Sequence, residues 1–323
     1  MNTPRKTRHV LLRGVWHSIG ASMAACLLGA CTPEPIGALE IEGLAFVPSG
    51  HIRVSVGRMG TSEALLVDRF ETTRDQWTAF LAETGRQDWI GWDLFTPPPG
   101  ERHLGRLPAV GMDWEEALAY SEWRGMRLPE VSEWLWIAAG PRAQAYPYGT
   151  SPADSTANTT ELGLLAVTPV GTFYNGRTPG DAIFDLEGNV AEWVHCGLEP
   201  GSPWIPRTAH LGSWLQLPTW AIGGSFLTHS RPLFMDAIQG IQVNGVELAR
   251  GTRANDVGVR PVVEAREWLI SNMHLYSDPA HKARLLLVGQ AWGNRSVDLL
   301  SELNQEHPDE LMLVWLLEGA RGQ

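Results

Sequence analysis

Cysteine is scarce in this 323-residue chain, which contains three: Cys26, Cys31 and Cys196. Two of them fall within the first 31 residues, in a segment that has the features of a removable signal. Cys196 is then the one thiol available to the folded domain, and a single cysteine cannot form an internal disulfide. The mature fold must therefore be held by core packing or by a bound metal, even in an oxidising compartment.

Several other features are also lacking, and each excludes a class of function. Basic residues number 25 against 36 acidic ones, so the net charge of −11 makes nucleic acid an improbable partner. The ten histidines include no His-x-His or His-x-x-x-His pair, so the sequence gives no signal for a zinc or iron centre. After the N-terminal segment, no apolar run reaches the length of a transmembrane helix.

The N-terminus has the pattern of a processing signal. Four basic residues precede an apolar run from about Val15 to Leu28: Arg5, Lys6, Arg8 and Arg13. The run ends in Leu-Gly-Ala-Cys31, which resembles a bacterial lipoprotein signal; the alternative is an ordinary apolar segment with a spare cysteine. We expect residues 1–30 to be removed, which takes the net charge to −15, and Cys31 to carry a lipid as the sole membrane anchor. Because Thr32 is not a retention aspartate, this favours the outer membrane, on its periplasmic or surface face.

The remaining composition predicts a loop-rich mixed fold. The 34 glycines and 22 prolines exceed what a helix bundle tolerates, and 15 tryptophans supply large core side chains. Residues 31–38 are interpreted as a tether, and residues 38–50 and 51–59 alternate as strands do. Three helices follow, which are marked by Thr73 with Gln76 and Gly85, by Asp113 with Gly125, and by Pro129 in a first helical turn.

An ordered set of motifs then resembles the formylglycine-generating enzyme (sulfatase-modifying factor) family: "VDRFETTRDQWTAF", "LPAVGMDWEEALAYSEWRGMRLPEVSEWLWIAAG", "YPYG", "PVGTF", "DLEGNVAEWV", "IGGSF" and "NDVGVRPV". The resemblance covers the domain over residues 39–264. It implies an α/β (α+β), loop-rich, C-type-lectin-like fold. The activity of the family is the oxidation of a protein cysteine to formylglycine.

The resemblance also implies a calcium loop in "DLEGNVAEW". Asp185 and Glu192 would supply side-chain oxygens, and Gly188 and Val190 would supply backbone carbonyls, a donor set that suits a hard cation. Considered without the resemblance, the same residues form an acid-rich turn. A second family site would use Asn158 and the Thr159 carbonyl, but the stretch from Glu161 to Thr168 is short and no completing acid is found.

The family's copper chemistry is not expected here. Two cysteines that bind copper follow a Gly-Gly-Ser in the family, and this sequence has Thr228 and Leu233 at those positions. Neither residue binds Cu(I) usefully, and Cys196 is expected to be an inert small hydrophobe. Ser225, Thr228, His229 and Arg231 would still line the cleft that receives a peptide in the family.

Two functions therefore remain open for this cleft, and enzyme activity is uncertain. One is a calcium-stabilised module that binds a peptide or protein in the envelope, or that acts as a scaffold. The alternative is an oxidoreductase of the same superfamily that uses a non-copper chemistry. Residues 265–323 form a helical extension outside the resemblance, which either docks on the domain or offers a surface to a partner.

Overall fold

Three short sheets and seven α-helices organise the part of the chain that the computed structural model describes, residues 41–55, 58–86, 100–180, 182–195, 219–233 and 244–322. The strands are β1 (Leu44–Val47), β2 (Gly50–Ser55), β3 (Arg58–Ser62), β4 (Leu65–Asp68), β5 (Ala191–Val194), β6 (Thr219–Ile222), β7 (Gly245–Leu248), β8 (Val257–Gly258) and β9 (Val262–Glu264). The helices are α1 (Arg74–Thr84), α2 (Trp114–Trp123), α3 (Val131–Ala139), α4 (Ala265–Asn272), α5 (Lys282–Trp292), α6 (Val297–Glu306) and α7 (Leu311–Arg321).

The sheets are small and mostly antiparallel. One has the order β1-β4-β9, a second is the β2-β3 hairpin, and the third has the order β7-β6-β5-β8, in which β8 runs parallel to β5. This combination of short strands, helices and long irregular segments confirms the mixed, loop-rich α/β fold. In the third sheet, the loop that precedes β5 contains the candidate metal ligands Asp185, Gly188 and Val190, and Glu192 lies in β5 itself.

The first two helices begin where the sequence predicts. A capping box joins Thr73 to Gln76 at the start of α1, and another joins Asp113 to Glu116 at the start of α2. Each box satisfies backbone N–H groups that have no partner within the helix. Gly85 closes α1 in the left-handed conformation that favours glycine.

Two local predictions need correction. Helix α3 begins at Val131 with Glu130 as its N-cap, so Pro129 lies before the helix and not in its first turn. The capping box between Glu130 and Glu133 sets that boundary. Residues 51–59, predicted as one strand, divide between β2 and β3, because the chain reverses there into a hairpin.

The C-terminal helices pack against the first sheet. Trp292 of α5 is fully buried, and its indole N–H donates to the Leu44 carbonyl of β1 at 3.1 Å. Its ring lies 5.8 Å from that of Phe46. One apolar cluster joins β1 and β4 to α4–α7, so the structure agrees with the docked alternative for this extension.

The signal over residues 1–30, the lipid-carrying Cys31, the tether and Cys196 lie outside the described residues. Within the described ranges, no helix combines the length and apolar character needed to cross a membrane.

Candidate functional site

The loop that precedes β5 adopts a backbone conformation that few residues tolerate. Asp185, Gly188 and Asn189 all have positive φ angles, of 58°, 76° and 56°. At Gly188 a side chain is also excluded sterically, because a Cβ atom would lie 2.4 Å from the Asn158 carbonyl oxygen. Asparagine and aspartate are the non-glycine residues that adopt this conformation most readily. The order Asp-x-x-Gly-Asn therefore matches the geometry of the loop.

Asn189 ties the loop to three other segments. Its side-chain N–H donates to Glu71 at 2.6 Å, and its oxygen accepts from the Thr168 amide at 2.9 Å and from the Asn158 side chain at 3.1 Å. The side chain is fully buried, and these bonds span up to 118 residues of sequence. Asn189 thus acts as a structural centre of the site, a role that the sequence analysis did not assign.

Beside the loop lies a buried cluster of three carboxylates and one guanidinium. Arg260 donates to Glu192 at 2.9 and 2.7 Å, and the other Glu192 oxygen accepts from the Trp134 indole at 2.7 Å. Asp185 accepts from the Gly171 amide at 2.6 Å, while Glu71 accepts from the Val190 amide at 3.0 Å.

The cluster has a surplus of negative charge. When all four groups are ionised, one guanidinium opposes three carboxylates. Burial raises the pKa of Asp185 to about 6, although the Gly171 amide and Arg260 act in the opposite direction. Burial, followed by the neighbouring charge of Asp185, holds the pKa of Glu71 well above its usual value. A bound cation would stabilise these carboxylates, since burying an ionised carboxylate without a counter-charge costs free energy.

The second candidate metal position would use the Asn158 side chain and the Thr159 carbonyl. Of these two, the Asn158 side-chain oxygen accepts no hydrogen bond. Asn158 donates to the Ala166 carbonyl at 2.8 Å, but its Oδ1 atom is buried and has no hydrogen-bond partner. Thr159 is also buried and precedes a 3₁₀ turn, Thr160–Leu162. Across the described residues, no group of three or more His, Cys, Asp or Glu side chains is arranged to hold a metal by itself. Backbone carbonyls would have to complete either site.

Thr228 and Leu233, the positions predicted to replace the copper cysteines, both make defined contacts in the structure. The Thr228 hydroxyl accepts from the Ser225 amide at 2.8 Å and so closes the turn over Ser225–Thr228. Leu233 is 2% exposed and belongs to the apolar core around Trp134. Ser225 is fully buried and donates its hydroxyl proton to Asp256 at 2.8 Å. Of the four predicted cleft residues, Ser225 is therefore removed from the surface.

Glu161 holds the exposed part of the segment 225–233 in place through hydrogen bonds. Its carboxylate accepts from the Ser230 amide at 3.2 Å on both oxygens and pairs with His229 Nδ1 at 3.0 Å. Burial opposes ionisation, but hydrogen bonds from the Thr159 side chain, the Glu161 and Ser230 amides and His229 together lower the pKa of Glu161 to about 2. His229 and Arg231 remain exposed on the outer side of this contact.

A cavity of about 400 Å³ opens next to Glu161. Its wall combines the loop after Tyr148 with the Thr159–Leu162 segment and Ser230. Lining residues are Tyr148, Pro152, Ala153, Asp154, Ser155, Thr156, Ala157, Thr159, Glu161, Leu162 and Ser230. Glu187 lies directly behind this wall, where it accepts a 2.6 Å hydrogen bond from the Ser230 hydroxyl.

The segments that the sequence singled out lie next to each other in the structure, but several of their buried partners were not predicted. Asp185, Gly188, Val190 and Glu192 share one loop and strand, and Asn158 contacts the same loop. Glu71, Arg260, Glu161 and Glu187 were not identified. The left-handed Gly-Asn pair in the loop was visible as a turn, but its long-range partners have no local signal.

Comparison with known proteins identifies the family. Residues 43–265 match the model of the sulfatase-modifying factor enzyme 1-like domain, which is well over half of the chain. The chain belongs to the sulfatase-modifying factor family. The match ends at the first residue of α4, so the rest of α4 and all of α5, α6 and α7 lie outside it.

The similar proteins include one that is named as an inactive enzyme and one that is named as an oxygenase. The chain is 32% identical over 130 residues to the inactive C-alpha-formylglycine-generating enzyme 2 of Mus musculus, which covers 37% of this chain and 41% of that protein. It is 35% identical over 174 residues to the hercynine oxygenase of Mycobacterium tuberculosis, covering 44% and 40%. The chain thus spans about two-fifths of the length of these relatives.

Solved structures confirm the fold. CarF superposes with a TM-score of 0.51 at 17% identity, over 68% of this chain and 97% of that one. The variable protein 1 of Treponema denticola superposes with a TM-score of 0.51 at 16% identity, over 68% and 94%. These similarities support the C-type-lectin-like fold that the sequence predicts, with the C-terminal helices added to it.

Proposed function

We propose that this protein is a family member without copper-thiolate oxidase activity, which binds a peptide or another envelope ligand at the surface of the 225–233 segment. The observation that carries this proposal is the position of Thr228 and Leu233. One side chain closes a turn by hydrogen bonding, and the other is buried in the core. A hydroxyl and an alkyl group do not fit Cu(I), which is held by soft thiolates.

A binding role is supported by what remains at the surface. His229 and Arg231 are exposed on a segment that Glu161 fixes in place, and the cavity lies beside it. A loop held rigidly by its surroundings loses little conformational entropy when it binds, which favours recognition.

Calcium at the Asp185 loop is part of the proposal. Asp185 and Glu192 side chains with the Gly188 and Val190 carbonyls would hold the ion, a donor set made entirely of oxygen. The surplus negative charge of the Glu71, Asp185, Glu192 and Arg260 cluster favours such an ion. When bound, calcium would supply structural charge compensation, while Asn189 keeps the loop in its left-handed conformation.

A lipid on Cys31 would place the domain on the periplasmic or surface face of the outer membrane. We also propose that the lipid is the sole anchor of the protein. The test is lipid labelling of the full chain in a bacterial host, followed by fractionation of the envelope. Labelling that persists in Cys31→Ser would contradict this part of the proposal.

A second candidate is an oxidation that does not use copper. The similarity to hercynine oxygenase favours it, because that relative is an oxygenase by name. His229 and the adjoining cavity would then have to contribute to a reaction site. This alternative predicts oxygen consumption, which a binding module does not show.

Metal content and oxygen uptake separate these functions. The purified protein is analysed by plasma mass spectrometry, by competition with a Cu(I) chelator, and for oxygen uptake with a cysteine-containing sulfatase peptide. We expect no copper and no uptake, whereas the double variant Thr228→Cys, Leu233→Cys is expected to gain Cu(I) affinity. Bound copper or iron with peptide-dependent uptake in the wild type would overturn the binding function.

Ligand binding itself is tested with an immobilised peptide library. The replacements His229→Ala and Arg231→Ala are expected to weaken any selected peptide, whereas Arg142→Ala, at another exposed arginine, is the matched control. Equal binding by all variants would place the ligand elsewhere on the protein.

A further inference from the structure

Half of the large apolar side chains that the described residues expose come from three short segments of the domain. Ten such side chains are exposed, and the five from these segments have exposures of 46%, 37%, 49%, 61% and 47%: Leu104, Leu162, Leu164, Leu165 and Leu227. Single exposed apolar residues are ordinary on a soluble protein, whereas a group of them indicates an interaction surface. We call these five residues the leucine patch.

The three segments meet at one small buried cluster, whose members include Leu107, Val167 and Phe226. Each of these three core residues has a member of the leucine patch within three positions along the chain, namely Leu104, Leu165 and Leu227. The exposed leucines therefore lie around a common piece of core and are not scattered over the domain.

Hydrogen bonds hold the three segments together. The Val170 amide donates to the Arg106 carbonyl at 3.0 Å, and the Arg106 guanidinium donates to the Val170 carbonyl at 3.1 Å. The Thr160 amide donates to the Thr228 carbonyl at 3.0 Å. The patch is thus presented by a fixed surface, which loses little conformational entropy when it binds.

The segment at the centre of the patch has two unusual properties. Leu165 has a φ angle of 50°, a left-handed conformation that is an outlier for a bulky side chain and costs free energy. In addition, no charged residue occurs from Leu162 to Gly176 in a chain that contains 61 of them. A strained backbone that exposes leucine in an uncharged stretch offers no benefit to the folded core, so it points to a contact outside the domain.

The composition of the patch distinguishes a bilayer from a protein partner. Residues that dominate protein interfaces are enriched in tryptophan, tyrosine and arginine, and leucine is under-represented among them. Leucine is instead among the side chains that enter a membrane most favourably. Arg102 and Arg106, which are both exposed, flank Leu104, and basic side chains next to an apolar surface attract anionic lipid headgroups.

The expected lipid anchor would keep the domain close to such a surface. Ile41, the first described residue, lies ten residues after Cys31, and a chain of that length spans at most about 36 Å. A lipid on Cys31 would therefore hold the domain beside the bilayer at a high effective concentration, so that even a weak contact is occupied.

We propose that the leucine patch inserts into the interfacial layer of the membrane that holds the Cys31 lipid. This inference rests on the proposed lipid anchor and goes beyond the proposed ligand binding. Leu164 and Leu165 enter the boundary between headgroups and acyl chains, while Arg102 stays among the headgroups. The 225–233 surface then lies beside the bilayer, where an envelope ligand reaches it.

The test measures the depth of a fluorophore at position 165 in the purified full chain, reconstituted into vesicles of phosphatidylethanolamine and phosphatidylglycerol. A nitrobenzoxadiazole label is attached to Leu165→Cys in a Cys196→Ser background, and the parent without the added cysteine corrects for other thiols. A nitroxide on the lipid acyl chains should quench this label more strongly than iodide in the water does. Stronger quenching by iodide would overturn the proposal.

A second labelled site provides the matched control. Leu311→Cys places the same label at an exposed leucine of α7. We expect the lipid nitroxide to quench the label at 165 at least about threefold more strongly than the label at 311, because interfacial insertion buries an apolar side chain about 5–10 Å deep. Leu164→Cys repeats the measurement if Leu165→Cys does not fold. Equal quenching at the patch and at position 311 would contradict insertion.

Charge variants test the orientation of the patch. Arg102→Gln should reduce the quenching by lipid in vesicles that contain phosphatidylglycerol, but not in vesicles of phosphatidylcholine alone, since it removes an attraction to anionic headgroups. Arg142→Gln removes an equal charge from another exposed arginine and should leave the quenching unchanged. Equal losses in both variants would mean that overall charge, and not the patch, orients the protein.

The outcomes separate this inference from the proposed anchor. If Cys31 carries a lipid while the label at 165 stays open to iodide, the inference fails and the anchor stands. If Cys31 carries no lipid but added vesicles still quench the label at 165, the anchor fails and the leucine patch is the membrane contact by itself. Protection of position 165 from both quenchers would show that a protein covers the patch, and would overturn the inference.

Discussion

The Arg260 guanidinium binds the Glu192 carboxylate through two hydrogen bonds of 2.9 and 2.7 Å, and neither side chain is more than 1% exposed. Arg260 also donates to the carbonyl oxygens of Asp68 and Phe184, at 2.9 and 2.8 Å. One side chain thus joins the end of β4, the residue before the candidate calcium loop, and β5. The same cation partly balances Glu71 and Asp185.

Replacement of Arg260 by leucine should destabilise the domain strongly. The variant leaves Glu192 without a counter-charge beside two further buried carboxylates, and breaking a buried pair in this way costs about 3–5 kcal/mol. Urea unfolding monitored by tryptophan fluorescence measures the loss. Arg266→Leu is the control, because Arg266 forms exposed pairs with Glu302 and Glu306 and should cost at most about 1 kcal/mol. Equal losses of unfolding free energy in the two variants would show that the buried Arg260–Glu192 pair contributes no more to stability than the exposed pairs of Arg266.

Calcium should raise the stability of the wild-type protein, and a chelator should lower it. A ligand at a hundred times its dissociation constant adds about 2.7 kcal/mol to the unfolding free energy. The melting temperature with and without calcium is the measurement, with magnesium as the comparison ion. Asp185→Ala should abolish the response, whereas Asp309→Ala, at an exposed position of the C-terminal extension, should retain it. A response in Asp185→Ala would place the ion elsewhere.

Features that depend on neighbours in sequence could be predicted well. The capping boxes of α1 and α2 join residues three positions apart, so the residue types alone specify them. The replacement of the copper cysteines by Thr228 and Leu233 stays a prediction, which rests on the spacing of these residues from the Gly-Gly-Ser. The correction at Pro129 concerns a boundary that a competing box, from Glu130 to Glu133, shifted by two residues.

The contacts at the centre of the site could not be predicted, because they join residues that are far apart in the sequence. Glu71 lies 118 residues from Asn189, and Arg260 lies 68 residues from Glu192. No local pattern specifies such pairs, since they depend on how the sheets are assembled. The cavity likewise requires the loop after Tyr148 to meet Ser230. A buried glutamate such as Glu187 looks in sequence like an exposed turn residue.

The hydrogen bonds from the Ser230 amide to the Glu161 carboxylate should be lost only at an unusually low pH. The folded pKa of Glu161 is lowered to about 2, so the stability that its carboxylate contributes is present above the ordinary value of about 4.3 and is lost as the pH falls toward 2. The Ser230 amide shift, recorded by NMR, should therefore titrate near pH 2. Glu161→Gln should remove the transition and leave the shifts of α5 unchanged. A midpoint near pH 4.3 would show that the contact is not maintained in solution.

The docking of the C-terminal helices should depend on two glycines where α5 and α7 cross. A Cβ atom at Gly289 would lie 2.1 Å from the Leu316 carbonyl oxygen, and one at Gly319 would lie 2.2 Å from that of Leu286. Gly289→Ala should therefore force the helices apart at a cost of about 1–3 kcal/mol. Separation would also expose the Trp292 indole N–H, which is bonded to Leu44, so its hydrogen exchange should accelerate.

Gly251→Ala is the control, because no atom lies within 4 Å of a Cβ at that position. Unchanged exchange in Gly289→Ala would mean that the helices do not pack this closely in solution, and would favour the alternative in which their apolar faces bind a partner.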